Sequence, residues 1–386
     1  MARSTIEAWL PEEKDSQPIQ ILNQTSAVEA LARPVTMKSN VRTVPRAGEV
    51  DVEVVPKGTA YGEDDAEVDE VTITARKFGK IVRLAEEDID DSLVDVLTQK
   101  KTSWATSYAK MLDNACLAVT AAENGTTIPF TSVYKAVRTA DVGQGYTADD
   151  NYLQAGTAFG TVTFTDTGDV VTFATPHGLA VGDQVVFGTI TSTTGITAGT
   201  VYYVRTVPST TTVTLSATLN GATLALTTDG SAASAIAGYG QPTYENLSDF
   251  IGLYEASPYF DESRAIIIAH PSFKKKIRKI RNDNGDPVFS PSPRQGDPDT
   301  LFGYPIRWSL GAKTHATATP NPTGNPIMVM VNRDLLILGR RSGPESVVID
   351  GRSGASATTD ETLLKMRARR GFKLGTPLGA AVLEAA

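Results

Sequence analysis

Few residues in this chain are grouped in a way that could do chemistry. Carboxylates are densest in Gly62-Glu63-Asp64-Asp65 and in Asp88-Ile89-Asp90-Asp91. Grouped carboxylates suit hard divalent cations, which want several oxygen ligands. The first group stands in GEDDAEVDE, which lacks the spacing and the closing bidentate glutamate of a calcium loop. The second precedes an apolar stripe, where acids favour the positive end of a helix. A solvated hairpin tip and a helix start account for the two groups, and neither a metal nor a cofactor is expected. The three histidines, His177, His270 and His315, are too widely spaced to suggest a ligand set or a base beside a nucleophile. His177 lies in Pro-His-Gly-Leu, a turn into a strand. The single cysteine, Cys116, excludes an internal disulfide and a cysteine zinc cluster. It falls one step off a helical apolar stripe, which makes it a small buried side chain. GQGYTADDN has no P-loop lysine, and no nucleophile elbow, His-Glu-x-x-His pair or kinase signature is present. These features predict no catalytic residues and no enzyme.

The one dense basic run is Lys274, Lys275, Lys276, Arg278, Lys279 and Arg281. On a helix, Phe273, Ile277 and Ile280 point inward and the bases fan over the remaining faces. That pattern fits contact with nucleic acid or with an acidic neighbour; it equally fits a solvated helix face. No interleaved aromatics or groove-reading motif supports sequence-specific binding. A looser basic group, Arg340-Arg341 and Lys365 to Arg370, falls near strands, where alternate residues face a core and a neighbour.

The elements that must carry these residues are bounded by composition. The chain has 386 residues, 41% of them apolar, with 36 bases against 44 acids and a formal charge of −8. That balance argues for a globular protein of about two domains and against a general polyanion binder. No apolar run approaches the roughly 18 residues of a membrane span. The segment MARSTIEAWLPEEKD lacks the apolar core of a signal peptide.

Residues 1–48, with four prolines and no sustained period, read as an extended arm with a short helix near Ser26–Leu31. Alternation in Asp51–Val55 and again in Val71–Ala75 predicts a long hairpin with Lys57, Tyr61, Glu63, Asp64 and Asp65 at its tip. Such a ribbon is marginal alone in water and must lie on something. Leu93, Leu97, Trp104, Tyr108, Met111 and Ala115 keep one apolar face over about 92–122, a helix about 50 Å long. Residues 155–238 change character. Of these 84 residues 22 are threonine and only five are charged. Short β-rich runs separated by Gly, Asp, Pro and Ser predict a small β-sandwich or barrel inserted in a loop. Beyond it come a helix with Leu247, Phe250, Ile251 and Tyr254 on one face, an unbroken apolar strand at Arg264–His270, and a helix opened by Pro271. Short strands follow at Tyr304–Ser309, Ile327–Val331, Leu335–Leu338, Val347–Ile349, Leu363–Arg367 and Gly371–Leu374.

In this order the pieces resemble the major capsid proteins of tailed bacteriophages, the Hong Kong 97-type fold. The resemblance rests on Ile81–Leu97 (loop end into spine helix), Leu112-Asp-Asn-Ala115, Ala265–Gly285 (strand, Pro, helix, Asn-Gly), Leu301-Phe-Gly-Tyr-Pro305 and the arginine-rich close at Lys365–Leu383. It spans roughly 300 residues, and the order and spacing of the motifs carry it.

The resemblance implies an α+β class: an N-arm (1–48), an extended loop (49–80), a peripheral domain with the spine helix (81–154), an axial domain (239–326) and peripheral or axial return strands (327–386). The inserted all-β sandwich or barrel domain (155–238) departs from that plan. It resembles a β-module of phage structural proteins through His177-Gly-Leu…Gly-Asp-x-Val and Val201-Tyr-Tyr-Val. The implied function is a head protein that forms hexamers and pentamers of an icosahedral shell around double-stranded DNA, assembled in the host cytoplasm and resident in the virion. Implied partners are further copies of itself, a separate scaffolding protein (since 48 residues are too few for a built-in one), a portal protein, DNA held by non-specific contact, and a cement protein in some shells; no membrane is involved. Some members cross-link through a hairpin lysine and a neighbour's asparagine, for which Lys57 and Asn332 are the candidates. Two other readings stand beside this one: an encapsulin-like nanocompartment shell, and a surface- or glycan-binding β protein working through 155–238. A hydrolase using the acidic groups is a third.

Overall fold

The computed structural model describes residues 25–47, 52–61, 68–92, 95–192, 195–278, 280, 299–349 and 360–385. In chain order, α1 (Ala27–Leu31) leads into β1 (Arg33–Thr36), β2 (Val41–Ala47), β3 (Val68–Thr74) and β4 (Arg76–Ala85). Next come α2 (Glu86–Asp90), α3 (Val96–Leu117), α4 (Val133–Val137) and β5 (Tyr152–Gln154). The Thr-rich stretch holds β6 (Thr157–Phe159), β7 (Val162–Thr165), β8 (Val170–Phe173), β9 (Gln184–Phe187), β10 (Val201–Thr206), β11 (Thr212–Ser216), β12 (Gly230–Ala232) and β13 (Ala235–Ala237). The chain closes with α5 (Tyr244–Glu255), β14 (Ala265–Ala269), α6 (Ser272–Ile277), β15 (Thr300–Leu301), β16 (Tyr304–Trp308), β17 (Ile327–Asn332), β18 (Leu336–Ile349), β19 (Glu361–Leu374) and β20 (Ala380–Glu384).

The body is built on a six-stranded sheet in the order β15-β16-β14-β17-β20-β5. Its central strands β14 and β17 are apolar from Ala265 to Ala269 and from Ile327 to Val331 because both faces are covered. Ile266, Ile268, Val329, Val331 and Val382 point into a core shared with α3 and α4. Ile267, Met328, Met330, Ala381 and Leu383 point into a second core with α5 and α6. Ile327–Asn332 lies between β14 and the last return strand, β20, in the sheet that also holds 300–308.

A four-stranded sheet, β1-β18-β19-β4, covers the other side of α3. Sequence reading split β18 and β19 into short pieces; each is one 14-residue strand. Register shifts between Arg340 and Glu345 absorb the Ser-Gly-Pro stretch, so pairing resumes beyond it.

Two expectations need correction. The hairpin's first strand is β2, not 51–55: Val44 pairs with Val71 and Pro45 with Glu70, while residues 52–61 form no strand. A two-stranded ribbon is all edge, so the N–H that Pro45 lacks is not missed. Helix α3 has 22 residues, about 33 Å, instead of the expected 50 Å. Asp95 starts it by accepting from Thr98 N at 3.0 Å, and a bridge between Val119 and His315 draws the chain out of it. Leu93 lies outside the described residues.

The inserted stretch forms one eight-segment sheet that closes on itself. β6 and β7 pair in a single antiparallel register with β13 and β12, from Thr157↔Ala237 to Phe164↔Gly230. The opposite edge of the same 230–237 segment pairs with β9, from Val185↔Ala237 to Ile190↔Ala232. Pairings β7–β8, β8–β11, β11–β10 and β10–β9 complete the circuit. The result is a barrel of six continuous strands, with Phe164, Phe173, Phe187, Val213 and Leu215 filling it. Closure removes the open edges that a sandwich would leave.

Candidate assembly surfaces

The residues singled out at the hairpin tip sit on an extended loop that the subunit leaves uncovered. Val52 is 89% exposed, Val54 96% and Tyr61 85%. Lys57 is exposed too, beside Gly58, whose positive φ of 90° makes the tip turn in which Thr59 N donates to Pro56 O. Glu63, Asp64 and Asp65 lie outside the described residues.

The ribbon is anchored at the end where it meets the loop. Arg46 pairs with Asp69, reaches Asp141 at 2.8 Å and donates to Gly375 O at 2.9 Å. The Arg46 hydrogen bond, helped by the Glu70 amide, holds the Asp69 carboxyl below its usual range. Farther along, Ile73 and Met37 rest on the four-stranded sheet over Gly339 and Gly371, which face each other across β18 and β19. A Cβ at Gly371 would stand 2.6 Å from Ile73, so only glycine leaves the slot the ribbon needs.

The basic run is split by its environment. Lys274 reaches Asp299 at 3.1 Å and lies 4.6 Å from the centre of the Trp308 ring. Lys276 donates to Gly240 O at 2.6 Å, and burial lowers its pKa. Both are therefore engaged within the chain, which removes them from the fan of outward bases that the sequence suggested. Lys275 and Arg278 are exposed, while Lys279 and Arg281 lie outside the described residues. In the looser group, alternation on β19 divides the arginines as expected: Arg370 is 3% exposed and bound to Glu29, whereas Arg367 and Arg369 face outward.

Asn332, the cross-link candidate, is buried, with both ends of its amide occupied. Its Nδ2 donates to Tyr259 O at 3.2 Å and its Oδ1 accepts from Asp334 N at 3.0 Å. It serves as a cap between β17 and the turn to β18. Cys116 is fully buried in the core, and burial raises its thiol pKa.

Sequence reasoning noted Asp113 and Asn114 only as a motif. They form a buried polar knot on α3. Asp113 accepts from Ser26 Oγ, from Ala27 N at 2.9 Å, Val28 N at 3.1 Å and Ser309 Oγ at 2.6 Å. Burial pushes this carboxyl up, and its hydroxyl and amide donors pull it back. Asn114 donates to Gly311 O and Lys313 O and accepts from Thr319 N. A second buried carboxylate, Glu384, accepts from Tyr134, Tyr152 and Asn325, each at 2.8 Å. Burial, with Glu384 beside it, pushes the Tyr134 hydroxyl up to about 12. The only advance signal for either was an acid within an apolar run, which must find partners to be buried.

Among the described residues, no group of three or more His, Cys, Asp or Glu side chains could hold a metal ion, and no helix is long and apolar enough to cross a membrane. What the geometry offers is surface: a bare loop, an anchored ribbon and a closed barrel on a two-sheet body.

Over its whole length the chain superposes on the capsid of a native GTA particle, covering 100% of both chains with a TM-score of 0.59 at 13% identity. A chain of Gordonia phage Cozz matches at a TM-score of 0.59 and 11% identity, over 98% of this chain and 92% of the other. One of Mycobacterium phage Ogopogo matches at 0.57 and 14%, over 100% of both. At these identities the likeness establishes the Hong Kong 97-type fold. No curated protein sequence matches. The sequence model of the phage capsid family, however, matches residues 173–384, more than half of the chain. Fold and sequence therefore agree: the chain belongs to the phage capsid family, as a major capsid protein whose place is the virion shell.

Proposed function

We propose that this protein assembles as hexamers and pentamers into an icosahedral shell that encloses double-stranded phage DNA, and that it does so without catalysing a reaction. The bare loop is the observation that carries this reading. Val52, Val54 and Tyr61 stand almost fully in water on a chain segment without regular structure, and large obligate interfaces are where such surface is covered. Heterologous contacts of this kind close into rings. In this reading residues 1–48 are the arm and 49–80 the extended loop. Residues 81–154, with α3 as spine, form the peripheral domain; 239–326 form the axial domain, and 327–386 supply return strands to both. The barrel at 155–238 projects from the outer surface. Contact between copies falls to Lys57, Tyr61, Glu63, Asp64 and Asp65. Lys275 and Arg278, with Lys279 and Arg281, meet a neighbour or packaged DNA through sequence-blind charge. A separate scaffolding protein and a portal protein complete assembly, and a cement protein is compatible with it.

Electron microscopy of the full chain, expressed with scaffolding and portal genes, tests the proposal. Uniform closed shells tens of nanometres across are expected, with nucleic acid inside when packaging is supplied. A monodisperse monomer under those conditions would overturn it.

A further inference from the structure

The knot at Asp113 ties together three parts of the chain that are remote in sequence. Its donors come from the arm, at Ser26, Ala27 and Val28, and from the loop before β17, at Ser309. Asp113, Ser26 and Ser309 are 2%, 6% and 6% exposed. Among the described residues no cation pairs with the carboxylate; hydroxyls and amides satisfy it. Ser309 is held in turn, its Oγ accepting from Gly311 N at 3.1 Å. There is no slack behind it, for a Cβ at Gly311 would stand 2.7 Å from Asp113 Cβ and from Asn114 N. The other end of α1 is gripped separately: Glu29 binds Arg370, and its carbonyl accepts from Arg340 at 2.8 Å. A five-residue helix has almost no stability of its own. Its place on the subunit is set by these two grips and by Val28 and Ala32 in the core.

We propose that Asp113 is the positioning residue for the root of the N-terminal arm: its carboxylate holds Ser26, Ala27 and Val28 against α3 and so fixes where the arm joins the subunit. The inference rests on the shell reading for its consequence but not for its geometry. A carboxylate with two oxygens can hold both segments at once. An amide in its place offers one acceptor oxygen and turns a donor toward hydroxyls and N–H groups that need an acceptor. The loss should therefore fall on the arm root first, because α1 has least else to hold it.

The test compares the wild-type full chain with Asp113→Asn, with a chain lacking residues 1–24, and with the two changes combined. Hydrogen exchange at the Ala27 and Val28 amides should rise about tenfold or more in Asp113→Asn, while the amides of Ile266–Ile268 stay within about twofold. Shell yield by sedimentation should fall severalfold in the full chain and fall no further when the substitution is added to the arm-less chain. Equal exchange increases throughout the subunit would make Asp113 a plain core residue and overturn the proposal. So would unchanged exchange at Ala27 and Val28, or an equal loss of shells with and without the arm. Should Asp113→Asn not fold, Ser309→Ala carries the test, since it touches no arm residue yet should still raise exchange at Ala27 and Val28; if it does not, the coupling is absent. If no variant and no wild type forms shells, the shell reading fails while the exchange result still decides the positioning role of Asp113.

Discussion

The barrel and the ribbon with its loop are both β-structure, and they solve opposite problems. The barrel at 157–237 closes every strand edge and keeps a core of its own, with Phe164 and Phe187 edge to face at 5.1 Å. It meets the body where its two ends come together. Ala155 O accepts from Gly240 N at 2.9 Å, and Asn246 bonds both N and O of Gly156 at 3.0 Å. The ribbon of β2 and β3 leaves both edges open, rests on the body at a few points, and leads to a loop with its apolar side chains in water. One region is complete within a single chain; the other leaves its edges and apolar side chains uncovered. On the proposed function the uncovered region carries assembly, and the complete one is free to vary.

That contrast gives its sharpest test as a pair of deletions. Removing residues 53–66, which leaves β3 whole, should abolish stable particles while the subunit still folds. Removing 155–238 and joining the two ends should leave shells of the same size. Particle counts by microscopy on both proteins read the outcome directly. Normal shells without the loop, or none without the barrel in a folded subunit, would reverse the assignment.

Single packing changes extend the comparison at smaller scale. In Gly371→Val the new side chain must displace Ile73, at a cost of about 1–3 kcal/mol borne by the ribbon. Shell yield should drop severalfold, with the body's melting point little changed. Phe187→Ala opens a cavity in a fully buried site and should cost the barrel about 3–5 kcal/mol, yet leave shell yield as it was. A melting profile with separate barrel and body transitions, set beside the sedimentation yield, distinguishes the two.

How much of this could be read from the sequence follows the range of the interactions. The unbroken Ala265–Ala269 strand, the helix on Leu247, Phe250, Ile251 and Tyr254, and the Thr-rich insert are written in local periodicity, and all three stand as read. The start of α3 was placed after Asp88, Asp90 and Asp91 because acids suit a first helical turn; these residues lie in and just after the short α2, and the Thr98 bond sets the start at Asp95. The ribbon's partner strand was misread because alternation at 51–55 is locally as good as at 41–47, and Pro45 argued falsely against the latter. Barrel closure depends on one segment, 230–237, pairing on both edges, which no local pattern encodes. The donors to Asp113 lie 85 to 196 residues away along the chain, and the engagement of Lys274 and Lys276 depends on Asp299 and Gly240 being brought to them. In each case the motif was visible and its partner was not.

The mildest prediction asks whether the barrel shares the body's sensitivity to acid. His270 directly follows β14, with its Nδ1 accepting from the Ser272 amide at 3.2 Å, and burial, with Lys313 nearby, depresses its pKa to about 4. In the unfolded chain the ring takes its proton near pH 6.5. Between about pH 6.5 and pH 4 the unfolded state therefore binds a proton that the folded state refuses, so stability falls as the pH falls through that window and levels off on either side. With allowance for the ring's partial contact with water, the loss is about 1–2 kcal/mol. His270→Gln should flatten the decline in melting temperature between pH 7 and pH 4.5. Because His270 follows β14 and its amide donates to Ile327 O of β17, at the six-stranded sheet, the same decline should persist when residues 155–238 are removed. A decline that disappears with the barrel would mean that the insert is coupled to the body it stands on, and the independence argued from its closed sheet would fail.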